Sequence, residues 1–440
     1  MQNNTSRPAL KTVSGFRAHL LNKNMCPTAY PTAFRPPPET VPLIAALTAD
    51  GAQVRFVGGC VRDFILGQVA QDIDLATDAR PEKVINLLEK ARIRAIPTGI
   101  DHGTVTAVIS KTKFEVTTLR RDIHTDGRHA IVEFGTDWKE DAARRDFTFN
   151  AMSMTPDGML HDPFNGKEDL LEGRVRFVGD APERVREDVL RILRWFRFYA
   201  HYGKVHADEA ALSACKGFAF RISDLSGERL RHELLLLLEA PHPLPSLNLM
   251  IETNVIDAVL GRGYSASLLT GLCQIERELK LQPDSVLRLA ALIRTYSGAA
   301  PLAGRLHLTN LERNRLDWAL APEPALTPKV SREERRKTIY KYGAKQLQDR
   351  VLLAWGAAPA ELSWKEWLQE LETFIPPKFP LKGKDLTALG IAEGPVIGDL
   401  LHQVENWWIS EAFAPDRNAC LSQLTKIRQN SDGMRRGDGI

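Results

Sequence analysis

Strand-like and helix-like patterns divide this chain of 440 residues into two parts, and this division most strongly constrains its fold. Short runs rich in β-branched residues, such as VRFVGG from Val54 and GTVTAVIS from Gly103, occur before about residue 180. Between them, RPEKVINLLEKA has helical apolar spacing and places Pro81 in the first turn of a helix. Beyond Pro182 the apolar residues recur at helical spacing. The sequence therefore predicts an α+β fold, in which a small mixed sheet precedes an all-α part.

Two long helices are predicted in this second part. The stretch PERVREDVLRILRWFRFYAHYG has one continuous amphipathic pattern, so we expect a single helix that ends at Gly203. The stretch LSGERLRHELLLLLEA is expected to form another helix, with Ser226 as its N-cap and Glu228 in its first turn. Leu- and Ala-rich helical segments then continue to about Lys426.

Composition excludes several classes of protein. The 58 basic and 55 acidic residues give a net charge of +3, so a nucleic-acid surface has to be a local patch. Five scattered cysteines without a Cys-x-x-Cys pair argue against a zinc site or a disulfide framework and favour a reducing compartment. No apolar run is long enough to span a membrane. Residues 1–38 contain basic but no acidic residues, and we expect a flexible extension of a cytoplasmic protein rather than an organellar targeting segment.

Two aspartates one residue apart are the first candidates for catalysis. In the predicted strand DIDLAT, Asp72 and Asp74 point to the same face, where their charges repel unless a cation lies between them. Hard carboxylate oxygens select Mg²⁺, which also binds substrate phosphates, so the pair is typical of a two-metal nucleotidyl-transfer site. The alternative is a solvated Asp-x-Asp in a turn. A third carboxylate would complete the site, and either Glu115 or Asp146 could supply it.

The residues just before this pair favour the catalytic interpretation. Gly58 and Gly59 follow a predicted strand and precede a helical run, which allows backbone N–H groups to approach phosphate oxygens. Arg62 lies one turn further on and could clamp a phosphate. In RRDFTFNAMS, either Arg144 or Arg145 could likewise bind a phosphate or a sugar, although such arginines often form a solvated face.

A second cluster suggests recognition of a base. Asp188, Arg191, Arg194 and Arg197 recur every three residues in REDVLRILRWFRF and are predicted to share one helix face. An aspartate accepts from the exocyclic amine of cytosine or adenine, and an arginine donates to ring acceptors, so Asp188 and Arg191 could select a nucleotide without a template. Arg194 and Arg197 suit phosphates or the orientation of that pair. Salt bridges within a surface helix are the alternative.

Together these segments resemble the class II CCA-adding tRNA nucleotidyltransferase and bacterial poly(A) polymerase family. The resemblance is dense over about residues 40–240, and its motifs are specific in combination. They are VGGCVRDFILG, DIDLAT, PTGIDHGTVTAV, FEVTTLR, RRDFTFNAMS, HDPFNGKEDLLEGRVRFVGD, REDVLRILRWFRF and LSGERLRHELLLLL.

The resemblance implies a polymerase-beta-like nucleotidyltransferase head followed by a helical neck, body and tail. The boundaries we assign are an extension at 1–40, a catalytic head at 41–180, a neck with the nucleotide-selecting helix at 181–240, and a tRNA-binding body and tail at 241–440. The resemblance also implies that C, C and A are added to the 3′ end of tRNA from CTP and ATP with release of diphosphate. No membrane, DNA or protein partner is evident.

Residue roles follow from the same match. By this match Asp72 and Asp74 would bind Mg²⁺. Glu115 does not come from the match, and we assign it as the third catalytic acid from its position in the strand KFEVTT. A further set would bind the nucleotide and is expected to comprise Gly59, Arg62, Arg145, Asp188, Arg191, Arg194 and Arg197.

Three other functions remain open at this level. A poly(A) polymerase would carry a basic GRRF-like run where this chain has PTGIDHGTVTAV. An enzyme that adds only CC would lack part of the loop between TTLR and RRDF, whereas RDIHTDGRHAIVEFGTDWKEDAA fills that interval here. A non-catalytic RNA-binding protein would have no need to retain Asp72, Asp74 and Arg62. We therefore predict complete CCA addition.

Overall fold

The structure of the chain is a computed structural model that describes residues 36–70, 72–125, 130–294 and 299–437. Most of the predicted N-terminal extension, and part of the loop on which the prediction of full CCA addition depends, lie outside these residues. The described chain folds into two compact units. The first unit comprises residues 36–121, 132–145 and 149–167, and the second comprises 122–131, 146–148 and 168–437.

A seven-stranded sheet with the strand order β3-β4-β5-β2-β1-β8-β9 forms the centre of the first unit. The neighbours β2 and β5 are parallel, whereas the other pairs of the sheet are antiparallel, so the mixed sheet predicted from the sequence is confirmed. Strands β6 and β7 form a separate two-stranded sheet. The strands are β1 (Val54–Val57), β2 (Asp74–Thr77), β3 (Arg94–Gly99), β4 (Thr104–Ile109), β5 (Thr112–Thr118), β6 (Arg120–Thr125), β7 (Ala130–Phe134), β8 (Ser153–Met154) and β9 (Leu160–His161).

Alternation of buried and exposed residues sets the faces of this sheet. In β5, Phe114 and Val116 are buried while Glu115 is exposed, as the two-residue period of a strand requires. Strand β2 begins only at Asp74, and Asp72 lies in the bend before it. The prediction that both aspartates belong to one strand is therefore wrong, because pairing with β5 starts at Asp74.

Helices up to residue 172 follow the local sequence signals. In α3 (Pro81–Lys90), Pro81 occupies the first turn and Val84, Leu87 and Leu88 form the buried stripe, as predicted. The other helices of this part are α1 (Thr40–Thr48), α2 (Gly59–Ile65), α4 (Trp138–Ala143) and α5 (Gly166–Glu172).

The rest of the described chain is helical, which confirms the predicted fold class. A separate apolar cluster around Trp408, Leu386 and Leu424 forms the core of its last three helices. The helices are α6 (Ala181–Glu187), α7 (Leu190–Tyr202), α8 (Glu209–Phe218), α9 (Gly227–Leu238), α10 (Pro243–Glu252), α11 (Val255–Leu260), α12 (Ala266–Leu279), α13 (Ser285–Leu292), α14 (Ala300–Ala303), α15 (Asn310–Leu320), α16 (Arg332–Tyr342), α17 (Ala344–Ala357), α18 (Trp364–Thr373), α19 (Gly383–Thr387), α20 (Pro395–Ser410) and α21 (Arg417–Gly437). No helix of the described chain is long and apolar enough to cross a membrane.

The long helix predicted to end at Gly203 is split in two. Asp188 has an extended backbone with φ −147° and ψ 107°, and its carboxylate accepts a hydrogen bond from the backbone N–H of Leu190 at 3.0 Å. This local bond competes with the helical backbone pattern, so α6 ends before Asp188 and α7 begins after it. Helix α7 does end at Gly203, as predicted. Asp188 therefore does not lie on the helix that carries Arg191, which corrects the single-face prediction.

Candidate active site

Two carboxylates from neighbouring strands form the centre of the candidate site. Asp74 opens β2, and the parallel register pairs it with Glu115 of β5. Paired residues on adjacent strands point to the same face, with their backbones about 4.8 Å apart. Asp72 is exposed in the bend just before Asp74. We call Asp74 and Glu115 the carboxylate pair.

The electrostatics of the pair show a surplus of negative charge. Burial, followed by the charge of Glu115, raises the pKa of Asp74 to about 6. The nearby Asp72 also raises this pKa, and Arg145 lowers it without cancelling the other effects. A bound cation would relieve the repulsion among the three carboxylates.

The donor set fits Mg²⁺. Within the described ranges, no three His, Cys, Asp or Glu side chains form a ready-made metal cage. Mg²⁺ is typically bound by one or two carboxylates together with waters and substrate phosphates, so the carboxylate pair suffices on the protein side. Asp146, the other candidate for the third acid, instead accepts a hydrogen bond from Arg194 Nε at 2.7 Å.

The Gly58–Gly59 turn brings two arginines close to the backbone. Gly58 has φ 69° and ψ −128°, a conformation that glycine adopts readily and other residues do not. A Cβ atom at Gly58 would lie 3.1 Å from Arg145 Nη1, and one at Gly59 would lie 3.6 Å from Arg62 Nη2. Two guanidinium groups therefore lie against this turn, which is an arrangement suited to phosphate oxygens.

Asn150 holds both of these guanidinium groups in place. Its side-chain oxygen accepts a hydrogen bond from Arg62 Nη1 at 3.1 Å, and its backbone oxygen accepts one from Arg145 Nη1 at 3.5 Å. Arg62 also donates to the carboxylate of Asp63 at 2.8 Å. Sequence reasoning missed Asn150, although an amide in the otherwise apolar segment FTFNAM was a usable signal.

Asp141 of α4 anchors the other end of this arrangement. Its buried carboxylate accepts hydrogen bonds from Arg144 Nη2 at 2.7 Å and from Arg145 Nη2 at 3.2 Å. Although burial alone would raise it, the pKa of Asp141 is lowered by the charges of Arg145 and Arg144. Arg145 is therefore fixed between Asp141 and the glycine turn.

The predicted base-reading pair lies in the second unit. Both carboxylate oxygens of Asp188 accept hydrogen bonds from Arg229 Nη2 at 3.1 Å. Arg191 Nη1 donates to Glu187 Oε2 at 2.6 Å and to the backbone oxygen of Arg184 at 3.0 Å. Sequence reasoning missed Arg229, which lies in the first turn of α9 and 41 residues from Asp188.

The two remaining predicted arginines are engaged in ion pairs with other residues of the second unit. Arg194 is paired with Asp146 at 2.5 Å, and Arg197 Nη1 lies 3.2 Å from Glu233 Oε2. Glu233 is buried in α9, so the contact of Arg197 fixes α7 against α9. Both guanidinium groups already have a carboxylate partner, which disfavours the phosphate-binding role considered from the sequence.

The predicted residues thus fall into two groups. The first unit holds Asp72, Asp74, Glu115, Gly59, Arg62 and Arg145, and the second holds Asp188, Arg191, Arg194 and Arg197. In the second group each side chain is bonded to a different partner: Asp188 to Arg229, Arg191 to Glu187, Arg194 to Asp146 and Arg197 to Glu233.

Comparison with known families identifies two matching segments. The family described as "Poly A polymerase head domain" matches residues 54–176. The family described as "Probable RNA and SrmB- binding site of polymerase A" matches residues 206–263, which contain α8 to α11.

Individual relatives extend the similarity to most of the chain. CCA tRNA nucleotidyltransferase 1, mitochondrial, of Homo sapiens is 35% identical over 381 residues, which cover 85% of this chain and 87% of the human protein. The CCA-adding enzyme of Streptococcus mutans is 30% identical over 406 residues, which cover 88% of this chain and 96% of that enzyme. The crystal structure of the Bacillus stearothermophilus CCA-adding enzyme in complex with CTP superposes with a TM-score of 0.72 at 25% identity, covering 91% of this chain and 100% of that one. The resemblance seen in the sequence motifs is confirmed, and the chain belongs to the class II CCA-adding tRNA nucleotidyltransferase family.

Proposed function

We propose that this protein adds C, C and A to the 3′ end of tRNA, using CTP and ATP and releasing diphosphate. The observation that carries the proposal is the carboxylate pair, in which burial and then the charge of Glu115 raise the pKa of Asp74 to about 6. Relatives that cover most of the chain are CCA-adding enzymes, which supports the same function.

The residues of the first unit bind and orient the triphosphate. Arg62 and Arg145 offer N–H donors beside the Gly58–Gly59 turn, and Asn150 keeps both guanidinium groups in position. The 3′ hydroxyl of the tRNA loses its proton to solvent and its oxygen forms a bond to the α-phosphorus. The bond between the α-phosphorus and the oxygen bridging to the β-phosphate breaks, and diphosphate leaves with that electron pair. The role of these arginines is to hold the α-phosphorus in line for attack and to stabilise the charge of the leaving group.

The family implies dependence on a divalent metal, and we propose that this metal is Mg²⁺ held by the carboxylate pair, with Asp72 of the preceding bend joining the pair when the metal binds. When bound, it neutralises phosphate charge and lowers the pKa of the attacking hydroxyl. Asp74 is the best-placed ligand because it opens β2 beside Glu115, while Asp72 reaches from the bend.

Selection of the base falls to Asp188 and Arg191. The carboxylate of Asp188 can accept from the amine of cytosine or adenine, and uracil has no such amine to offer. Arg229 holds this carboxylate through both oxygens, so we propose that it orients the acceptor.

We further propose that residues 41–180, 181–240 and 241–440 act as head, neck, and tRNA-binding body and tail. The RNA-binding family match at 206–263 supports RNA contact near the start of the last segment. The basic helix α16 is a poor candidate for phosphate contact, because Arg332 and Arg336 are paired with Glu370 and Arg335 is paired with Glu366.

The compartment is a separate proposal. We propose that the protein acts in the cytoplasm, because residues 1–38 lack a clear amphipathic pattern. A fluorescent protein fused to the C-terminus should stay in the cytosol in its own cell. Import into an organelle that depends on residues 1–38 would reverse this assignment.

Incorporation of labelled CTP tests the proposed function. The substrate is tRNA that ends at the discriminator base, and the reaction contains Mg²⁺. We expect two cytidines to be added, and we expect Asp74→Ala to abolish addition while circular dichroism shows an intact fold. Absence of labelling by the wild-type protein, or retained turnover in Asp74→Ala, would contradict the proposal.

A further inference from the structure

A pocket of about 380 Å³ opens on the sheet face that carries the carboxylate pair. The strand register places the residues at the bottom of the pocket on this face. Arg55 pairs with Ala76, which lies on the same side of β2 as Asp74. Further along the sheet, Val57 pairs with Ser153, which pairs with His161 of β9. Because Val57 shares the face of Arg55, these positions continue the same face. We call this site the α4 pocket, after the helix that forms its wall.

Arg145 connects the α4 pocket to the candidate active site. It lines the pocket, while its Nη1 atom is the one that a side chain at Gly58 would meet. A ligand in the pocket would therefore lie next to the guanidinium group assigned above to the triphosphate.

The acidic residues of the α4 pocket are already satisfied. The oxygens of Asp141 accept hydrogen bonds from Arg144 and Arg145. The oxygens of Asp162 accept from the backbone N–H groups of Gly166 at 2.8 Å and Lys167 at 2.9 Å. Hydrogen bonds thus orient both carboxylates, and neither of them forms a salt bridge with Arg55 or Lys139 within the described chain.

Two of those cations have no carboxylate partner among the described residues. Arg55 and Lys139 both line the pocket, and no salt bridge with an acidic side chain of the described chain involves either of them. The guanidinium group of Arg55 lies 4.0 Å from the ring centroid of Trp138, and its burial lowers its pKa. Contact with a ring stabilises a cation but supplies no counter-charge. An anion in the pocket would supply a counter-charge to the half-buried Arg55 and to the exposed Lys139.

We propose that the α4 pocket binds inorganic diphosphate, the product released by the proposed reaction. This inference rests on the proposed function, because that reaction generates the ligand next to Arg145. Diphosphate can bridge two cations, and a pocket of about 380 Å³ holds it with part of its hydration shell, since one water takes about 30 Å³. The pocket then keeps the leaving group close to the site after the bond to the α-phosphate has broken.

Calorimetry on the full-length protein tests this site separately from the triphosphate site. The protein is first saturated with Mg²⁺ and the α,β-methylene analogue of CTP and is then titrated with diphosphate. The analogue does not react, because its P–C bond cannot be cleaved in place of the P–O bond. We expect one diphosphate to bind per analogue-loaded chain. In Lys139→Ala and Arg55→Gln the dissociation constant should rise at least tenfold. Lys111→Ala, which removes an exposed lysine from the turn between β4 and β5, is the matched control and should leave it unchanged.

Three results would overturn the proposal. The first is loss of diphosphate binding once the analogue is bound, because the two would then share one site. The second is equal affinity in wild-type, Lys139→Ala and Arg55→Gln proteins, and the third is equal affinity for inorganic phosphate and diphosphate. If the analogue itself does not bind, the proposed function fails instead, and titration of the free protein and its variants still decides whether the pocket takes diphosphate.

Discussion

Asp74, a proposed metal ligand, illustrates at the scale of one residue how a buried carboxylate beside another reduces stability. Its carboxylate is partly buried beside Glu115, and Arg145 only partly offsets the repulsion, so its pKa rises from 3.8 to about 6. The folded chain therefore binds a proton at Asp74 more tightly than the unfolded chain does. Protonation of Asp74 therefore stabilises the folded chain. This stabilisation is fully present below pH 3.8 and is lost as the pH rises through about 6.

Asp74→Asn should therefore stabilise the metal-free protein while abolishing nucleotide addition. A shift of about two pKa units corresponds to about 3 kcal/mol, and partial exposure of the side chain reduces the expected gain to about 1–3 kcal/mol. The measurement is urea unfolding with EDTA at pH 5 and pH 7.5, where the gain should be larger at pH 7.5. Asp101→Asn, at an exposed aspartate of the same unit, is the control and should change little. An equal gain at both pH values would contradict the argument.

Gly58 allows a second test at this scale, because another glycine shares its φ of 69°. Gly58→Ala introduces both backbone strain and a methyl group 3.1 Å from Arg145 Nη1, whereas a methyl group at Gly67 meets nothing within 4 Å. Both substitutions should reduce the free energy of unfolding by about 1 kcal/mol or more. Only Gly58→Ala should also weaken CTP binding, by about tenfold. Equal CTP affinity in the two variants would show that the contact with Arg145 is irrelevant.

At the scale of elements, the break between α6 and α7 sets the positions of the two residues that we propose read the base. Asp188 lies in this break, and its carboxylate is held by Arg229 of α9. Arg191 is the second residue of α7 and donates a hydrogen bond to Glu187 at the end of α6. Three helix ends thus position one acceptor and one donor.

Arg229→Ala should impair base selection more than triphosphate binding. Without its bidentate partner, the Asp188 carboxylate loses its fixed orientation, which is expected to cost about 1–3 kcal/mol of discrimination. The measurement is the ratio of kcat/KM for CTP to that for UTP, which should fall about 10- to 100-fold. Arg229→Lys should recover part of the ratio, and Arg313→Ala, at an exposed arginine of α15, should keep it. A uniform loss of activity with an unchanged ratio would assign Arg229 a merely structural role.

At the scale of the whole molecule, local signals predicted the elements well and the contacts between them poorly. The short β-branched runs, the Pro81 helix start and the Gly203 helix end were predictable because each depends on neighbouring residues. The order of the strands was not, because the Asp74 to Glu115 pairing joins residues 41 positions apart. The same reason hides Asn150 and Arg229, whose roles depend on side chains that approach only in the folded chain.

The helix break at Asp188 shows a second reason why the sequence pattern does not predict the structure. The surrounding residues favour a helix, and the apolar period continues through the break. The deviation depends on one carboxylate that bonds to the Leu190 backbone and to Arg229 at once. Patterns of hydrophobicity carry no information about such a bond.

The length of the product distinguishes the remaining functions of the whole enzyme. On tRNA ending in CC, supplied with labelled ATP and Mg²⁺, we expect a single adenosine to be added, after which extension stops. In the proposed function, Asp188, held by Arg229, and Arg191 read one base at a time, and discrimination has to come from their geometry because no template strand is present. Gel electrophoresis at single-nucleotide resolution makes the measurement, with tRNA ending in CCA as the control that should not be extended. A ladder of adenosines would indicate a poly(A) polymerase, and cytidine addition without any adenosine would indicate an enzyme that adds only CC.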